Sequence, residues 1–86
     1  MPKICEFYGV TIAMFYNDHE PAHFHATYGG DLAVIGVDPV VVLKGGLPRR
    51  ALGLVFEWAR SHQPELQENW ARARAHRPLS RIEPLE

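Results

Sequence analysis

The sequence predicts an α+β fold: an antiparallel meander of four or five strands followed by two helices packed on one face of the sheet. Three observations predict it. Up to Gly46, short runs rich in β-branched and aromatic residues alternate with turn residues. A Gly29-Gly30 pair separates two such runs as a two-residue hairpin connection. After Gly45-Gly46 the apolar spacing changes to three and four, the period of an amphipathic helix. On this reading residues 1–86 form a single domain, with the sheet over 3–44, helices over 48–62 and 64–76, and a tail over 77–86.

The strand segments are ICEF, VTIAMFY, AHFHATY, DLAVIGV and VVVLK, joined by YG (8–9), NDHEPA (17–22), GG (29–30) and DP (38–39). The glycine pair fixes a register. With Tyr28 opposite Asp31, His25 faces Val34 and Thr27 faces Leu32, while Phe24 and Ala26 face Ile35 and Ala33. A second pairing centred on NDHEPA sets Tyr16 near His23 and Met14 near His25, with His19 at the hairpin tip. Alternation along the strand puts His23 and His25 on one face and Phe24 on the other.

The first helix follows from Leu47, Ala51, Leu54, Val55, Trp58 and Ala59, with Pro48 suited to its first turn. The second starts at Pro64, carries Glu65 at its positive end and Arg72 and Arg74 at its negative end, and buries Leu66, Trp70 and Ala73. Pro78 stops it, and Leu79, Ile82 and Leu85 of the tail are placed to fold back on the core. Two helices cover one side of a sheet whose two faces both look apolar. The other side, with Val10, Ile12, Met14, Leu32 and Val34 beside His23 and His25, is the expected interface of a homodimer.

With 47% hydrophobic and 22% charged residues, the chain has the composition of a folded globular domain. A chain this short buries only about 60 to 65% of its unfolded surface, so leftover apolar surface invites a partner. A net charge of −1 excludes nucleic-acid binding by overall charge and leaves only local basic patches for it. Cys5 is the one cysteine, which rules out an internal disulfide framework and fits a reducing cytoplasm. Neither a signal-peptide run nor a membrane-length apolar stretch is present, so a cytoplasmic protein without a membrane role is expected.

Chemistry concentrates in DHEPAHFHA, residues 18–26, which holds His19, His23 and His25. Imidazoles at this spacing suit zinc or another divalent transition metal, with Asp18 or Glu20 to complete or orient the shell. The same histidines could instead supply a general base and a general acid across a scissile phosphate. The plain alternative is two half-buried strand histidines and one in a turn. Arg49 and Arg50 stand in the first turn of a helix, the unfavourable end for cations, which suggests that they meet an anion.

FYGVTIAMFYNDHEPAHFHATYG, LPRRAL, the run from Trp58 to His62, ELQENW and the closing RIEPL together resemble the bacterial domain of unknown function 4160 family. Ala22 stands where that family often has a second proline. Members of the family are typically encoded beside another small protein in pairs that look like toxin–antitoxin modules. The resemblance therefore implies a component of a two-gene module that acts with the small protein of the neighbouring gene. Its RNA-directed form uses His23, His25, Arg49 and Arg50 as a catalytic site and needs no cofactor. If an enzyme, such a protein would be a ribonuclease-like hydrolase or transferase of phosphodiesters. The alternatives are a non-enzymatic dimeric antitoxin or autoregulator, and a metal-binding protein with His19, His23 and His25 as ligands.

Overall fold

Residues 2–86 are described by a computed structural model. Five strands come first: β1 (Lys3–Phe7), β2 (Val10–Ala13), β3 (His23–Tyr28), β4 (Asp31–Gly36) and β5 (Val42–Gly45). Two helices follow, α1 (Arg49–Ser61) and α2 (Gln63–Arg74). The strands pair antiparallel in the order β1-β2-β3-β4-β5, so the α+β meander expected from the sequence is the observed fold.

Each tight hairpin has a local cause. Tyr8 and Gly9 both take positive φ, 47° and 82°, the geometry whose twist suits two-residue hairpins. The Gly29-Gly30 turn pairs Tyr28 with Asp31 and His25 with Val34, the register that the sequence implied.

The β2–β3 register differs from expectation by one residue. Ala13, not Met14, stands opposite His25, and β2 ends there. The Met14 amide donates to the Pro2 carbonyl at 3.2 Å, so the chain leaves β3 at this point and follows β1. A slip of one residue moves every side chain of a strand to the other face. Val10, Ile12 and Met14, expected on the uncovered face, are accordingly buried in the core. The same slip makes residues 14–22 one long connection rather than the short turn NDHEPA.

The core lies between the sheet and the helices. Trp58 of α1 packs on Phe7 and Phe24, with ring centroids 5.5 and 5.9 Å apart. Ala51, Val55 and Ala59 complete the buried stripe of α1, and Leu66, Trp70 and Ala73 that of α2. Burying each large apolar side chain contributes about 1.5 to 3 kcal/mol. Helix α2 is tied to the sheet by Gln63, whose amide donates to the Val37 carbonyl at 2.8 Å.

The tail returns to the sheet as expected. Asn69, buried in α2, brackets Ser80: its amide donates to the Ser80 carbonyl and its carbonyl accepts from the Ser80 amide, both at 2.8 Å. The Ile82 amide then donates to the Ile4 carbonyl on the outer side of β1, and Trp58 Nε1 donates to the Glu83 carbonyl.

Candidate metal centre

His23 and His25 share one face of β3 because they are two residues apart, and Phe24 between them is fully buried on the other. The long connection 14–22 folds back over that face. It delivers Asp18, whose Oδ2 lies 3.0 Å from His23 Nε2 and 3.2 Å from His25 Nε2. Ligand atoms of the three residues all lie within 4.8 Å of one another.

The tautomer of His23 follows from its other nitrogen. Nδ1 is 2.8 Å from the Pro21 carbonyl oxygen, which can only accept, so Nδ1 carries the proton and donates. In the neutral ring Nε2 then holds a lone pair aimed at a carboxylate oxygen. Two acceptors at 3.0 Å repel unless a cation or a proton stands between them. A backbone carbonyl holding the distal N–H of an imidazole is also the usual outer support of a metal-bound histidine.

The two distances from Asp18 to the histidines fit as well. Metal–nitrogen and metal–oxygen bonds of about 2.1 Å place neighbouring ligand atoms about 3.0 Å apart in octahedral and about 3.4 Å apart in tetrahedral geometry. The side chains of His23, His25 and Asp18 are 12%, 20% and 27% exposed, so the cluster is half-buried with one side reachable from solvent. Aromatic rings wall it. Phe15 sets its edge against His25 with centroids 4.6 Å apart, and Trp70 of α2 lies 5.0 Å from His23.

The remaining candidates fall elsewhere. His19 is exposed and does not join the three ligand atoms; its neighbour Asp18 takes the place that the sequence reading gave it. Glu20 is held away as well, accepting from Trp70 Nε1 at 3.2 Å and from Arg74 at 2.8 Å. Arg50 lines a cleft of about 440 Å³ with Tyr8, Tyr28, Leu54 and Glu57, at the Tyr28 end of β3. At about 3.3 Å per residue that end is about 10 Å from His25 and about 17 Å from His23. Arg49 is exposed at the start of α1. The structure thus sets Arg50 beside Tyr28, at the opposite end of β3 from His23.

Phe15, Trp70 and the Pro21 carbonyl are parts of the centre that sequence reasoning did not attach to it. Trp70 read as core, which it is, at 6% exposure. The acid five residues before the first histidine of the HFH triplet was the available signal for Asp18.

The domain of unknown function 4160 family matches residues 9–71, most of the chain. The chain belongs to this family. The match runs from the β1–β2 turn into α2 and so includes every residue of the Asp18, His23 and His25 cluster. Comparison with curated proteins and with solved structures gives no match. Among the described residues of this family member, no helix is long and apolar enough to cross a membrane.

Proposed function

We propose that this family member binds one divalent transition metal ion through His23 Nε2, His25 Nε2 and the Asp18 carboxylate. The observation that carries the reading is the Pro21 carbonyl on His23 Nδ1, which turns the bare Nε2 towards Asp18. Two imidazoles and one carboxylate suit zinc or non-haem iron and leave positions for water or a substrate. A metal also explains better than acid–base chemistry why both Nε2 atoms converge on one carboxylate instead of facing outward. Arg50, one of the arginines that the module reading gives a phosphate, lines the cleft at the Tyr28 end of β3 instead.

Elemental analysis and zinc titration of protein purified without an affinity tag test the reading. About one equivalent is expected in the wild type and in His19→Ala, and a loss of binding in Asp18→Ala, His23→Ala and His25→Ala. Less than about a tenth of an equivalent, or binding that survives all three substitutions, would sink it.

The expectation of a two-gene module is a separate proposal that rests on the family resemblance. It predicts that expression without the neighbouring gene slows growth and that co-expression restores it. Unaffected growth in both cases removes it.

A further inference from the structure

We propose that two copies of this chain pair edge to edge through β5, joining their sheets across a two-fold axis. The two edges of the sheet are not equivalent. On the β1 edge the tail occupies the outer side, with the Ile82 amide donating to the Ile4 carbonyl at 2.9 Å. On the β5 edge the bonds flanking the strand run inward to β4: Gly36 donates to Val41 and Gly46 donates to Leu32. All four residues of β5 are exposed, and an edge strand leaves a row of backbone donors and acceptors for another strand.

The exposed apolar side chains gather on the same edge. Six large ones are more than a third exposed, and four of them, Leu32, Val41, Val42 and Leu43, lie on β4, β5 or the residue before it. Val41 and Leu43 share a face, since both come within 3.8 Å of the position a Cβ on Gly36 would take. Gly36 pairs with His23 and Leu32 with Thr27, so these side chains stand on the sheet face opposite Phe24.

The second copy is the occupant these features select. A head-to-tail arrangement needs β5 of one chain on β1 of the next, and β1 is already taken by the tail. Self-pairing of β5 closes at two copies. With Val42 on the axis, Val41 faces Leu43 of the second copy. The register shift between Val34 and Ile35 and the charge of Lys44 are devices that keep an edge from pairing indiscriminately. Here they confine the pairing to the Val41–Leu43 stretch. So short an edge buries less than the roughly 800 Å² per partner of a standard interface, so dissociation in the micromolar range is expected.

Sedimentation velocity of the full chain from low micromolar to millimolar concentration, with and without a chelator, tests the proposal. The wild type should pass from monomer to dimer in both buffers, which separates this contact from the metal centre. Leu43→Lys, an exposed substitution with an unchanged melting temperature, should weaken the dimer about tenfold or more. Val41→Lys, at the position facing Leu43 of the second copy, should weaken it likewise. A monomer at every concentration overturns the proposal, as does a dimer indifferent to both Leu43→Lys and Val41→Lys.

Discussion

Asn69→Ala is expected to cost about 2 to 4 kcal/mol of stability and to free the tail from the sheet. Asn69 is 1% exposed, and its amide and carbonyl each bond the Ser80 backbone at 2.8 Å. Two such bonds contribute about 1 kcal/mol each, net of the water they replace. The void left at a buried site adds up to about 2 kcal/mol, depending on how far the site collapses. Ser80 is itself exposed, so water can take over its backbone groups and no further desolvation cost accrues. With a urea slope of about 1 kcal/mol/M for a domain of this size, the unfolding midpoint should fall by about 2 to 4 M at unchanged slope. A drop below about 0.5 kcal/mol, the scale of an ordinary surface substitution, would refute the assignment of Asn69 as the anchor of the tail. The variant has a second readout. Once Ile82 no longer covers Ile4, both sheet edges are open, and species larger than a dimer should appear in sedimentation.

Gly45 and Gly53 should respond to alanine with opposite signs. Gly45 has φ +72° and a Cβ there would run into the Leu32 carbonyl oxygen, so Gly45→Ala should cost at least about 2 kcal/mol. Gly53 lies exposed within α1 with nothing near its Cβ position, so Gly53→Ala should add about 0.5 to 1 kcal/mol; melting temperatures check both. Phe24→Ala, at a fully buried position against Trp58, should cost about 3 to 5 kcal/mol in chemical denaturation. Burial raises the Cys5 thiol above its ordinary value, so the folded chain keeps a proton that the unfolded chain loses. Stability from this group is therefore present below the unfolded thiol value of about 8.5 and declines as pH rises past it, and Cys5→Ala should flatten that alkaline slope.

What the sequence made legible follows from how local each signal is. The β3–β4 register could be read residue by residue because Gly29-Gly30 leaves only one pairing, Tyr28 with Asp31. Helix stripes could be read because Trp58 and Trp70 each repeat with smaller apolar residues at helical spacing. The β2–β3 register could not, since it depends on Met14 bonding Pro2 at the far edge of the sheet, a contact between segments that no short window contains. That one-residue error also misassigned a face, sending Val10, Ile12 and Met14 outward when they are core.

The same long-range contact decides the ligand set. Had β2 continued through Tyr16, a six-residue turn would have held His19 at its tip, and the three histidines would have been the natural donors. Because β2 stops at Ala13, residues 14–22 have the length to fold over β3, and Glu20 fastens the returning limb to Trp70 and Arg74 of α2. With that limb fixed, Asp18 faces the strand and His19 faces solvent. A carboxylate in place of a third imidazole changes the chemistry. It adds a negative charge, favours harder divalent ions alongside zinc, and provides a second oxygen that can bind or orient a water. Glu20→Ala thus becomes a discriminating substitution: it touches no proposed ligand, yet by releasing the limb it should weaken zinc binding by about 10-fold or more, as loss of an outer support does. Zinc affinity unchanged in Glu20→Ala would mean that Asp18 is placed by the strand alone, and that the fold of the connection is not what builds the centre.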